Sequence, residues 1–185
     1  MNTPTIFLVT LNFSLIGLLP IVFFRHDGNF NLSWFATAAP FFITAVVLIL
    51  GLFDIVQPMY QPDGLLLTAM QILAVVVAVA SITLIGLTIG VHRVPLALWH
   101  QENDAPVELV TWGPYALIRH PFYTSFLLAF LAAILVLQHY LTLLTWAYSS
   151  VTLTLTAKRE ERRLMASAYG DQYIQIGRAS CRERV

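Results

Sequence analysis

Residues 109–125 read LVTWGPYALIRHPFYTS and lie between long apolar segments. The stretch holds a Gly-Pro turn, an Arg-His-Pro triplet and two tyrosines. A chain that only had to cross a membrane would not need them. The Pro121 ring fixes its own φ and drives the preceding residue, His120, out of the helical region. Proline is also well tolerated as the first residue of a helix, where its missing N–H would have no partner in any case. His120 therefore reads as a hinge, and Pro121 as the start of the apolar helix that follows. The free N–H groups of Phe122 and Tyr123 would then point back toward Arg119. A helix N-terminus beside a guanidinium suits an anion. Tyr115 and Tyr123 add aromatic faces, which attract a cation. The combination fits a ligand carrying both charges.

Working outward, about 20 apolar residues span a bilayer core as a helix. Upstream, residues 5–24 form one such run, with Pro20 inside it and Arg25, His26 and Asp27 closing it. Residues 33–53 form a second, which contains Pro40, and residues 65–91 a third. Downstream, residues 122–137 and 140–157 are shorter and separated only by Gln138 and His139. They read as a tight helical hairpin. The expected fold is an all-α polytopic membrane protein of about five transmembrane helices, with a C-terminal helical hairpin and a cytosolic helix. Composition agrees, being 58% hydrophobic and only 11% charged, outside the usual soluble range. The formal net charge is zero, so no nucleic-acid partner is expected.

The charges give the layout an orientation. Arg25 falls in the first loop, Arg93 and Arg119 in the third, and Lys158, Arg159, Arg162 and Arg163 after the last apolar run. With about five crossings these positions share one side. The second loop, residues 54–64, has no Lys or Arg, and neither has the hairpin tip. The positive-inside rule then puts the C-terminus in the cytoplasm and the N-terminus outside, as for a multi-pass protein of a bacterial inner membrane. No basic n-region precedes the first apolar run, which is therefore expected to be retained.

The last ten residues, 176–185, read IGRASCRERV. Back-translated, they follow one frame of a sequencing-library adapter base by base. They are expected to be an artefact tail on a single membrane domain of residues 1–175. The only cysteine, Cys181, goes with them, leaving no disulfide or thiol chemistry to argue.

Two further polar clusters stand out. Residues 158–173, KREERRLMASAYGDQY, follow the last apolar run and place Glu160 and Glu161 among basic residues. Lys158 and Arg162, four apart, repel slightly on a helix, which hints that the carboxylates have partners elsewhere. Gly170 fits a helix C-cap. The other cluster is His92-Arg93, Trp99-His100-Gln101 and Asn103-Asp104. Its histidines have no Cys partner and no HExxH spacing, so no metal site is expected. It reads equally as a polar loop leaving the membrane. Arg119, His120, Trp112 and Tyr115 likewise have a plainer reading as interface anchors. No GxGxxG, Walker or GxSxG motif supports a nucleotide-fold or hydrolase reading.

Gly113-Pro114-Tyr115, Arg119-His120-Pro121 and Tyr123, followed after the hairpin by Glu160-Glu161, Leu164, Gly170 and Tyr173, resemble the isoprenylcysteine carboxyl methyltransferase family. This is the integral-membrane group that includes the phospholipid methyltransferases. The resemblance covers residues 109–173 and is only topological before that. It implies an S-adenosyl-L-methionine pocket at the cytosolic face, with Tyr115, His120, Pro121, Tyr123, Glu160 and Glu161 around the cofactor. Arg119 would sit where cofactor and lipid substrate meet, and Arg119 and His120 are the residues it implies for catalysis. Thr124-Ser125 stands where many members have a glycine, a change that bears on helix packing.

The chemistry agrees with the resemblance. Arg119 and the helix N-terminus suit the cofactor carboxylate, the glutamates its ammonium or ribose, and tyrosine faces its sulfonium. A carboxylate acceptor needs no general base; an amine needs one, and His120 or a glutamate would supply it. The expected function is methyl transfer to a lipid-soluble acceptor, either like an isoprenylcysteine carboxylate or a phospholipid amine. The expected partners are that acceptor and membrane lipids. The competing readings are an NADPH-dependent membrane reductase of the sterol reductase type, with a comparable C-terminal arrangement, and a non-catalytic membrane protein.

Overall fold

The computed structural model describes residues 3–18, 24, 28–60, 62–91, 110–166 and 170. Arg25, the cluster at 92–104, Tyr169, Tyr173 and the tail 176–185 lie outside the described residues. Among those described, the elements are α1 (Thr3–Gly17), α2 (Leu32–Leu52), α3 (Gly64–Val91), a short 3-10 turn (Gly113–Ala116), α4 (Pro121–Val136) and α5 (Tyr140–Met165).

Asn31 caps α2, its side-chain oxygen accepting from the Trp34 N–H at 3.2 Å, which satisfies one of the orphan donors of the first turn. Pro40 sits inside α2, a position a membrane helix tolerates. Pro121 opens α4 at its first position and His120 is the N-cap, with φ −125° and ψ 66°. The hinge lies where proline sterics put it.

The helices alternate in direction. A Cβ on Gly51, near the end of α2, would touch Leu137 just past α4 and Ile6 near the start of α1. The Met59 N–H, between α2 and α3, donates to the Gln138 carbonyl at 2.8 Å. These contacts gather the α2–α3 loop, the α4–α5 turn and the start of α1 at one end. At the other end, Gly113 closes on Val91, the last residue of α3. Arg119 and the C-terminal half of α5, with Lys158, Arg159, Arg162 and Arg163, lie at that second end. The first end carries Asp54 and Asp63 and, among the described residues, no Lys or Arg.

Small residues set the helix spacing. Ala74 and Ala78 of α3 meet Ala132 of α4 and Val9 of α1, the close backbone approach expected of helices packed in lipid. Ser81 donates to the Ser125 carbonyl at 2.7 Å and Ser125 to the Phe122 carbonyl at 2.7 Å. Ser125 is fully buried, so in this chain it serves the α3–α4 seam. Phe13 of α1, Phe41 of α2 and Phe130 of α4 interlock, with centroids 4.6–5.5 Å apart. Thr44 of α2 and Thr145 of α5 share a buried hydrogen bond of 2.6 Å, a link worth about 0.6 kcal/mol between membrane helices.

Among the described residues, two helices are long and apolar enough to cross a bilayer, over Trp34–Leu52 and Gly64–Val91. Only 28% of the α3 window is buried, so α3 is not the core helix of a soluble protein. Leu65, Ile72, Val76, Val79 and Leu87 instead form an apolar outer surface, which suits a lipid environment. Among the described residues the fold is thus all-α, with five α-helices, and has the character of an integral membrane protein. The expected five crossings are matched in helix number but not in length. α1 has 15 residues and α4 has 16, short of the roughly 20 that span a bilayer core. The stretch expected as a cytosolic helix begins inside α5, and its residues 167–169 and 171–173 lie outside the described residues. α5 runs unbroken from its apolar part to Met165, because Lys, Arg, Glu, Leu and Met all favour helix.

In a Cys181→Ser background, single cysteines at Gln57 and Leu117, both exposed or half-exposed, are expected to react with a membrane-impermeant thiol reagent from opposite faces. Labelling of both from one side would contradict the alternating arrangement.

Candidate functional site

The site starts at Gly113, whose φ of +64° lies in the left-handed region that a residue with a Cβ adopts only at a cost. A Cβ there would also sit 2.7 Å from the Val91 side chain. Glycine thus lets the chain re-enter tightly against the end of α3. The 3-10 turn follows, with the Ile118 N–H donating to the Pro114 carbonyl at 2.9 Å. This turn presents Tyr115 inward, half-buried, while Trp112 stays 60% exposed. Trp112 therefore has the setting of an interface residue and not of a pocket wall.

His120 then places its carbonyl over α4, where it accepts from the Thr124 N–H and hydroxyl, both at 3.0 Å. Its side chain makes no capping bond and is free for other partners. Three positions on, Tyr123 lies on the same helical face, and the two rings stack with centroids 5.6 Å apart and planes 16° apart. Pro121 is buried.

α5 brings two adjacent carboxylates to this face. Neighbours on a helix point about 100° apart, so Glu160 and Glu161 straddle His120. Glu161 Oε1 lies 3.1 Å from His120 Nε2 and 3.9 Å from the Arg119 guanidinium. Glu160 accepts the Tyr123 hydroxyl on Oε1, and its Oε2 faces His120 Nδ1 at 3.8 Å. All seven residues singled out in sequence, Tyr115, Arg119, His120, Pro121, Tyr123, Glu160 and Glu161, thus meet at the basic end of the bundle.

Burial dominates the electrostatics. It pushes the Tyr115 phenol up to about 12, and the Glu160 charge adds to the effect. It also holds the Glu160 carboxyl above its usual value, against the Tyr123 hydrogen bond and the positive neighbours His120 and Arg163. No group of His, Cys, Asp and Glu suited to a metal occurs among the described residues.

The sequence reading named Arg119 and His120 side by side. The geometry centres the cluster on His120, which reaches both glutamates, whereas Arg119 is half-exposed and makes the longer contact. Arg163 was missed as a neighbour of Glu160, although its i,i+3 spacing on α5 was a legible signal. Gly170 is not the cap expected of it, since α5 ends at Met165 and Ala166 is the C-cap. A Cβ at Gly170 would instead collide with the Met165 carbonyl, so a close backbone approach is what calls for glycine there.

Comparison with curated proteins and with solved structures finds no match. The profile of the phospholipid methyltransferase family matches residues 59–172. That is more than half of the chain and takes in both halves of the His120-centred cluster. The chain therefore belongs to the phospholipid methyltransferase family.

Proposed function

We propose that the protein transfers a methyl group from S-adenosyl-L-methionine to a lipid-soluble acceptor, an isoprenylcysteine-like carboxylate or a phospholipid amine, at the cytoplasmic face of the membrane. The observation that carries this reading is the cluster of Arg119, His120 and Tyr123 with Glu160 and Glu161. It sets a guanidinium and a helix N-terminus beside two carboxylates and a wall of aromatic rings. Those donors fit the cofactor group by group. Arg119 and the first turn of α4 suit its carboxylate. The glutamates suit its ammonium and ribose, and Tyr115 with the Tyr123–His120 stack suits a cationic centre. The family assignment and the basic end of the bundle support the same reading.

When bound, the cofactor supplies an electrophilic methyl on a positively charged sulfur. The chain supplies position. His120 holds Glu161 and Tyr123 holds Glu160, Pro121 opens the first turn of α4, and Arg119 stands on the exposed side where an acceptor arrives. In-line displacement needs little more than alignment, and alignment alone is worth several kcal/mol, about 7–11 in favourable cases.

The test is direct titration of the purified protein in detergent with S-adenosylhomocysteine and, separately, with NADPH. Saturable binding of the first and none of the second is expected. NADPH binding without S-adenosylhomocysteine binding would assign a reductase instead.

A further inference from the structure

α5 carries two opposite faces along its whole length. Thr142, Ser149 and Leu153 are buried in the bundle, and Glu160 continues their line at helical spacing. On the other side Leu144, Val151 and Leu155 are exposed. Lys158 and Arg162 continue that line at the three- and four-residue spacings of one helical face. Arg159 and Arg163 flank them, and all four cations are exposed. The outward face thus changes from leucine and valine to bare positive charge within one turn.

Glu160 and Glu161 do not neutralise these cations. They turn to the bundle side and reach Tyr123 and His120. Among the described residues the ion pairs join Arg119 and His120 to the two glutamates, and none engages Lys158, Arg159, Arg162 or Arg163. Lys158 with Arg162, and Arg159 with Arg163, are like charges four residues apart, which repel on a helix. The outward face therefore has no counter-charge of its own.

We propose that this face docks on the anionic phosphate headgroups of lipids in the surrounding leaflet. The depth fits. As a helix, residues 140–157 rise ~27 Å, close to the roughly 30 Å of a hydrocarbon core. The stretch from Lys158 to Arg163 takes the next ~8 Å, about the thickness of one headgroup layer. A lipid engages both parts of the face, its acyl chain against Leu144, Val151 and Leu155 and its headgroup against the cations. A soluble phosphate would meet the cations alone.

The proposal is independent of the cofactor. Its consequence for the site is mechanical. The two turns that hold cations outward hold the glutamates inward, so headgroup contacts fix the depth at which Glu160 and Glu161 meet Tyr123 and His120.

The test uses the full chain in phosphatidylcholine bilayers with a trace of spin-labelled phosphatidylglycerol or spin-labelled phosphatidylcholine. Electron spin resonance reads the fraction of each lipid held at the protein surface. At low salt, phosphatidylglycerol is expected to be held about threefold or more over phosphatidylcholine. The preference should fade in high salt, since charges act over only about 3 Å at 1 M. Joint replacement Lys158→Gln, Arg159→Gln and Arg162→Gln should remove most of it. Joint replacement Lys158→Arg, Arg159→Lys and Arg162→Lys should keep it. Arg163 stays in place, because Glu160 feels its charge.

An excess of soluble glycerol phosphate should not displace the labelled lipid. Displacement would make the face a site for free phosphate and overturn the proposal. Equal holding of the two lipids by the unsubstituted protein would overturn it too, as would a preference unchanged in the glutamine variant. If that variant does not reconstitute, Lys158→Gln alone decides. A partial loss of the preference is then expected, and no loss would contradict the proposal. S-adenosylhomocysteine binding is a separate measurement, and its failure would bear on the methyl-transfer reading only.

Discussion

Glu161→Gln is expected to weaken S-adenosylhomocysteine binding by about 1.5–3 kcal/mol, the worth of a charge-assisted hydrogen bond, or roughly 10- to 150-fold. The amide keeps the shape of the side chain and can still accept from His120 Nε2, now 3.1 Å from the carboxylate. It loses the charge that would hold the cofactor ammonium. Helix packing is remote from this change, since the seams of α3 with α4 and of α2 with α5 are built from other residues. Arg119→Lys should lower the same affinity less. It keeps the charge but loses the planar fork, and the arginine is half-exposed with a 3.9 Å contact. Calorimetry on monodisperse protein measures both. If these residues only anchor the helix ends at the membrane interface, both variants will bind as the parent does.

Gly113→Ala is expected to damage the site from a distance. The left-handed conformation costs a residue with a Cβ about 1–2 kcal/mol. The new methyl would also stand 2.7 Å from the Val91 side chain, so either the turn or the end of α3 must shift. Because the same turn carries Tyr115 and leads into Arg119 and His120, cofactor affinity should fall together with thermal stability. Gly86→Ala and Gly90→Ala are the controls. Both glycines lie in α3 with open space around the added carbon, and alanine is the better helix former. These two should be neutral or slightly stabilising. A Gly113→Ala protein that behaves like them would show that the turn is not pinned against α3.

Much of this arrangement was legible in the sequence, for identifiable reasons. The His120–Pro121 hinge follows from ring sterics alone, and α4 begins at Pro121 as expected. The apolar runs at 33–53 and 65–91 became α2 and α3 with ends shifted by a residue, since an uninterrupted apolar stretch in lipid has no alternative to helix. α5 continues past the apolar run at 140–157 to Met165, because a change from apolar to charged residues marks a change of solvent, not of backbone. The first run was expected to reach residue 24, yet α1 ends at Gly17.

Within the cluster, sequence named residues that the structure gathers at one end, but not how they pair. Glu160 and Glu161 look alike in the chain. Only the approach of α5 to α4 gives the first to Tyr123 and the second to His120 and Arg119. At Thr124-Ser125 both hydroxyls bond back onto the first turn of α4, Thr124 donating to the His120 carbonyl and Ser125 to the Phe122 carbonyl.

The central claim is that the start of α4 and the end of α5 form one cofactor pocket. Photocrosslinking of radiolabelled S-adenosyl-L-methionine to the purified protein, followed by peptide mapping, tests it most directly. The expected result is labelling confined to peptides containing residues 115–123 or 160–161 and abolished by excess S-adenosylhomocysteine. Competed labelling that falls only in other peptides, or the absence of any competed labelling, would contradict it.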